Sequence, residues 1–183
     1  ERDHYFFNGW LFDQFIVAGS PYCRLADFVV TDVRSRGGEV LTQLEVEASS
    51  RERPELGVTL TYRAATGPYL YKSVTVHNHG AQPVRLLDVM LENLAGDFGA
   101  ERGGRGEPVV AGNLFFGIEH PAGVNMGGPA ELKALQLPGV EIARGGSFTS
   151  QPVVVGVARE GESVAQAFRD YLMQLRPRKP KRL

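Results

Sequence analysis

Cysteine is nearly missing. Cys23 stands alone in 183 residues, so no disulfide can close within the chain and a cysteine-based zinc site is excluded. A single thiol of this kind is expected in the interior as a small inert group. An excess of one charge is missing too. Twenty Lys and Arg against 21 Asp and Glu leave a formal net charge of -1, which gives no overall field for nucleic acid or an anionic membrane surface. No apolar run approaches the ~20 residues that span a bilayer, and no signal peptide is recognisable. No Gly-x-Ser-x-Gly elbow, Walker loop, paired zinc motif or dinucleotide fingerprint occurs. The expectation is therefore no nucleic acid, no membrane, no metal and no cofactor. The first residue is Glu1 and not Met, and we expect the chain to be cut from a longer polypeptide, so absent targeting signals carry no weight.

What is present is ordinary globular composition, 43% hydrophobic and 22% charged, enough for one domain with a substantial core. Its apolar residues recur mostly with a period of two. Phe28–Val33 and Val40–Val46 flank Arg36-Gly37-Gly38, a hairpin signal with glycines where positive φ is wanted. Val58–Arg63 and Leu70–Val76 flank Gly67-Pro68, and Asn78-His79-Gly80 turns the chain into Val84–Leu91. Strand character returns at Leu114–Glu119, Glu131–Leu137 and Pro152–Val157. Strands spaced this closely predict antiparallel meanders: an all-β, two-sheet sandwich.

Three segments depart from that period. Gly96–Gly106, glycine-rich and charged, reads as a long exposed loop, without the strand-to-helix context of a phosphate cradle. From Glu162 onward, Val164, Phe168, Tyr171, Leu172 and Leu175 recur at spacings of three and four, which predicts one C-terminal helix with an aromatic stripe that Pro177 terminates. The tail 176–183 carries five of the twenty basic residues among prolines and reads as an extended linker after a domain spanning 1–175. Trp10 is expected to plug the core beside the first strand.

Candidate site residues fall in three places. His77 and His79 share a strand face and would suit a metal, but Gly80 follows at once, so turn formation is the better use of Asn78 and His79. Glu92, Asn93 and Asp97 lie where a long apolar strand meets the glycine loop, and their carboxylates and amide suit sugar hydroxyls. Glu119 and His120 follow Phe115-Phe116-Gly117-Ile118 at a strand end closed by Pro121, an aromatic surface with a carboxylate and an imidazole beside it. If the strand ran through both, Glu119 and His120 would point to opposite faces. Tyr69, Tyr71 and Trp10 are alternative aromatic platforms for a carbohydrate-binding module.

The segment Phe115–Gly123, with the strand ending Val76-His77-Asn78-His79-Gly80, resembles the N-terminal β-supersandwich of large bacterial glycoside hydrolases related to the α-galactosidases. The helix Ala167-Phe168-Arg169-Asp170-Tyr171-Leu172 before a basic, proline-containing stretch is similar to the segment leading into their catalytic (β/α)8 barrel. The resemblance implies a galactose-mutarotase-like antiparallel supersandwich with one C-terminal helix. It implies that the catalytic carboxylates lie in that barrel, so this chain is expected to be a non-catalytic accessory domain packed on a catalytic domain of the same polypeptide. With carbohydrate as the ligand, the chemistry of the residues themselves makes Asn93, Asp97, Glu119 and His120 its expected contacts. The resemblance leans toward a periplasmic or secreted setting without fixing one. Galactose mutarotases carry a His-Pro-Tyr-Phe-Asn stretch, whereas here His120-Pro121 continues Ala122-Gly123-Val124. A stand-alone aldose 1-epimerase would have to use His77, His79 or His120 as acid, with Glu119 or Glu92 as base.

Overall fold

The computed structural model describes residues 14–17, 23–24, 27–37, 41–64 and 66–175. Trp10 and the basic tail 176–183 lie outside the described residues, as does Gly38 of the first hairpin. The strands in chain order are β1 (Gln14–Val17), β2 (Cys23–Arg24), β3 (Phe28–Gly37), β4 (Leu41–Ser50), β5 (Leu56–Ala64), β6 (Tyr69–Asn78), β7 (Val84–Ala95) and β8 (Glu101–Arg105). There follow β9 (Val109–Ala111), β10 (Leu114–Ile118), β11 (Val124–Gly127), β12 (Glu131–Gln136), β13 (Val140–Ile142), β14 (Ser147–Thr149) and β15 (Val153–Val157), then helix α1 (Val164–Leu175). Pairing among the described strands is antiparallel throughout, as the alternation of the sequence requires.

One sheet runs β9-β10-β15-β6-β5-β4-β3, with β14 beside the far half of β6; the other runs β2-β1-β7-β12-β11-β8, with β13 beside the start of β7. Leu56, Val58, Leu60, Val74 and Val76 from the first sheet meet Leu86, Val89, Leu91, Leu132 and Ala134 from the second in a closed apolar layer. Cys23 is buried there as a free thiol.

The glycine segment is not the loop the sequence predicts. Within it β8 begins in the first sheet, where Glu101 and Arg102 pair with Val110 and Val109, and ends in the second, where Gly103 and Arg105 pair with Met126 and Val124. The switch needs glycine: Gly103 has φ of 110°, and a Cβ there would lie 2.7 Å from the Asn125 carbonyl oxygen. Low hydrophobicity predicts no order from packing, but backbone pairing supplies it.

Helix α1 packs on the outer face of the first sheet, so β10 and β15 are covered on both sides. Phe116, Ile118 and Val153 face the sandwich core; Phe115 and Val154 face the helix, where they join Tyr69, Ala158, Ala167 and Tyr171 in a second buried cluster. The Phe115 ring meets Phe168 edge-on at 5.2 Å and Tyr171 at 5.4 Å between centroids. It reaches them by lying across Gly156, the residue opposite it on β15. The helix starts two residues later than the periodicity from Glu162 indicates, because Ser163 caps it, its Oγ accepting the Gln166 N–H at 3.2 Å. The stripe is narrower than its spacing suggests. Ala167 and Tyr171 are buried, whereas Leu172 and Leu175 remain 42% and 48% exposed.

A Cβ on Gly156 would sit 2.0 Å from the Phe115 ring. Gly156→Ala is expected to cost about 1–3 kcal/mol through displacement of that ring, read as a lower urea midpoint with an unchanged m-value.

Candidate functional site

The docking of α1 against the end of β10 leaves a cleft of about 270 Å³, walled by Phe115, Phe168, Leu172, Leu175 and Pro121, with Glu119 on its margin. The strand ends at Ile118, so Glu119 and His120 are loop residues and the opposition of faces expected within a strand does not apply. The Glu119 N–H donates to the Pro152 carbonyl at 2.9 Å, which ties the turn to the start of β15. The Glu119 carboxylate accepts the Tyr171 hydroxyl hydrogen, joining turn and helix. Burial pushes the Glu119 carboxyl above its usual range; the Arg63 guanidinium, itself 4.6 Å from the Tyr71 ring centroid, pulls it partly back.

His120 is spent on its own turn. Its Nδ1 accepts the Ala122 N–H at 3.1 Å, and its carbonyl accepts the Gly123 N–H at 2.9 Å. The floor of the turn is Asn125, a residue sequence reasoning did not single out. It is 1% exposed; its Oδ1 accepts the Ile118 N–H at 3.0 Å and its Nδ2 donates to the Glu107 carbonyl at 2.9 Å. Gly117 allows this approach, since a Cβ there would lie 3.0 Å from Nδ2.

Asn93 and Asp97 are not brought to this cleft. Along β7 both Leu91 and Glu92 are buried, because a bulge breaks the alternation: Ala134 faces Glu92, Leu135 faces Met90, and Leu91 has no opposite number. The parity change turns Glu92 inward and puts Asn93 on the outer face, opposite Lys133. Asp97 is exposed beyond the strand end.

Glu92 thereby meets Lys72, which projects inward from β6 in the other sheet. Lys72 Nζ lies 3.0 Å from Glu92 Oε2 and donates to the Leu91 carbonyl at 2.7 Å, with side chains only 4% and 9% exposed. Burial drives both groups toward neutrality. It lowers Lys72 and pushes Glu92 up to about 7, and their mutual attraction offsets part of that effect. The pair bridges the two sheets through the interior, walled off from any substrate.

His77 at the end of β6 and His79 just beyond it serve the surface of the first sheet. The His77 and His79 rings stack at 5.7 Å, His77 Nε2 shares a hydrogen bond with Thr59 Oγ1 at 2.8 Å, and His79 lies over Gly57. Burial first, then the neighbouring His79, lowers the His77 pKa. Asn78 makes the turn, as expected: its Oδ1 accepts the Gly80 N–H at 3.0 Å and its Nδ2 donates to the Gln82 carbonyl at 2.8 Å. Among the described residues no group of three or more His, Cys, Asp or Glu is placed to hold a metal ion. Of the acid and base candidates for an epimerase, Glu92 lies inside and His77 sits on Thr59, while His120 is bonded within its turn next to Glu119. Tyr69 is buried under α1 and Tyr71 lies beneath Arg63, so neither forms an open platform.

No family model matches the sequence, and no curated protein matches it. Solved structures do. The GH36 α-galactosidase AgaA from Geobacillus stearothermophilus superposes with a TM-score of 0.57 at 14% identity, over 86% of this chain and 31% of that one. The fold is that of a β domain in a glycoside hydrolase. The galactosidase domain of the α-galactosidase-sucrose kinase AgaSK matches with a TM-score of 0.53 at 14% identity, over 82% of this chain and 30% of that one. A Glycoside Hydrolase Family 97 enzyme from Pseudoalteromonas sp. strain K8 matches at 0.54 and 12% identity, over 80% and 30%. The resemblance read from Phe115–Gly123 and the closing helix therefore holds for the fold. This chain spans about a third of the length of each of these glycoside hydrolases.

Lys72→Met alone strands the Glu92 carboxylate and is expected to cost about 3–5 kcal/mol, whereas Lys72→Met with Glu92→Leu should recover most or all of that loss; chemical denaturation of the three proteins measures both. Glu92 titrates near 4.5 when unfolded and near 7 when folded. The folded state therefore holds this proton more tightly, and the contribution of Glu92 is greatest below pH 4.5 and falls as pH rises to about 7. Subtracting the double variant's stability profile from that of the wild type over this window should show the fall.

Proposed function

We propose that this chain is a non-catalytic accessory domain of a glycoside hydrolase, packed on a catalytic domain of the same polypeptide and shaping the mouth of its sugar site. The observation that carries the reading is the unfilled apolar strip at the end of α1. Leu172 and Leu175 are 42% and 48% exposed and line the cleft beside the Glu119–His120 turn. A helix that has already buried Ala167 and Tyr171 on its own sheet has no internal use for two further exposed leucines on the adjoining face. A second domain seated there would cover them and would bring the turn to the junction. The fold supports the reading, since the matched structures are glycoside hydrolases and the match covers about a third of each.

Carbohydrate contact falls to the Glu119–His120 turn in this arrangement. Glu119, held by Tyr171, presents a carboxylate for sugar hydroxyls; among the described residues it is the one carboxyl lining the cleft, whereas glycoside hydrolysis uses a pair about 5–10 Å apart. Asn93 and Asp97 lie on a different surface, the outer face and strand end of the second sheet.

Two measurements test this. The isolated chain should leave an aryl α-galactoside unhydrolysed, while the polypeptide that joins it to a catalytic domain hydrolyses it; turnover by the isolated chain overturns the proposal. In the joined polypeptide, Leu172→Asp/Leu175→Asp should uncouple the domains and split one calorimetric transition into two.

A further inference from the structure

The edge of the first sheet carries a signal that the accessory-domain reading does not use. Strand β3 is ten residues long and, among the described residues, pairs only with β4. Beyond Phe28 all of it is exposed, including Val29, Val30 and Val33 at 42%, 52% and 57%. A long apolar edge invites another strand unless charge or distortion blocks it. Here the charges have a particular order. Asp32 and Arg34 flank Val33 on the outer face, side chains half exposed, joined by an Arg34 Nε to Asp32 Oδ2 contact of 2.7 Å. Arg34 also reaches Glu47. The Val33 N–H is held by the Asp32 carboxylate, Oδ1 accepting at 2.9 Å. A backbone donor capped by the side chain before it is a donor that another strand can take.

In an antiparallel pair of identical strands, one residue faces its own copy on the two-fold axis, and residues equidistant from it face each other. With the axis on Arg34 a guanidinium meets itself, and with the axis on Asp32 a carboxylate meets itself. With the axis on Val33, each Asp32 faces Arg34 of the second copy, twice over by symmetry, and Val33 packs on Val33. We propose that β3 is a homodimerisation edge, pairing antiparallel with β3 of a second copy in the register centred on Val33. Asp32 then exchanges its own Arg34 for that of the second copy and releases the Val33 N–H to the intermolecular ladder. A bulge leaves Thr31 without an opposite number on β4 and bends the edge there, so the ladder is short and the dimer depends on concentration.

The proposal is independent of any glycosidase role. Light scattering on the 183-residue chain across a dilution series should give a mass approaching twice 20.0 kDa at the concentrated end. Asp32→Arg and Arg34→Asp, each alone, place like charges opposite at both symmetric positions and should weaken association roughly tenfold or more. An equimolar mixture of the two variants restores opposite charges at both positions and should recover the wild-type dimer as a heterodimer. Both side chains are exposed, and circular dichroism confirms folding of each variant. A mass that stays at 20.0 kDa at every concentration overturns the proposal, as does a mixture that associates no better than its components. The first outcome would leave the edge to some other chain.

Discussion

The architecture depends on β10 and β15 being apolar on both faces. An antiparallel sheet in a sandwich usually buries one face and wets the other. Here Phe116, Ile118 and Val153 close the sandwich while Phe115 and Val154, one residue out of phase, build a second floor for α1. Gly156 makes this possible by leaving room for the Phe115 ring where a Cβ would otherwise stand. From that contact follow the position of Tyr171, the bond from its hydroxyl to Glu119 and the cleft beside it. The candidate site is thus a by-product of where one aromatic ring can lie.

The interior contains a second tie of opposite character. Lys72 and Glu92 join the sheets at a desolvation cost that their attraction only partly offsets, so apolar replacements would hold the layers as well or better. What the pair contributes instead is register. A slip of either strand by one residue would aim a charge into hydrocarbon or carry it to the surface. The same logic explains Asn125, which secures the turn after β10 with two backbone bonds from a buried position.

Period-two patterning made most of the strands legible in the sequence, because each places one apolar face on a common core. Turn chemistry at Asn78 was legible for the same local reason. Elsewhere the deciding information was not local. The bulge at Leu91 reverses the parity of β7, turning Glu92 inward and Asn93 outward, and it appears only when β12 is laid alongside. Strand β8 is ordered by neighbours on two sheets and not by its own apolar content. Along α1, spacing identified an apolar face but not how much of it the domain itself would cover, and Leu172 and Leu175 were left out. Lys72 is in phase with Val74 and Val76 on β6, which assigns it to the buried face despite its charge.

The two-sided packing of β10 and β15 is open to direct test by nuclear Overhauser spectroscopy on the Phe115 ring protons. The account requires cross-peaks from that ring to the Gly156 α-protons and to the rings of Phe168 and Tyr171. Cross-peaks running instead to the sandwich interior, for example to the Val58 or Leu91 methyls, would show that Phe115 belongs to the inner layer. The seat of α1, the Glu119 cleft and the domain junction inferred from them would then be wrong.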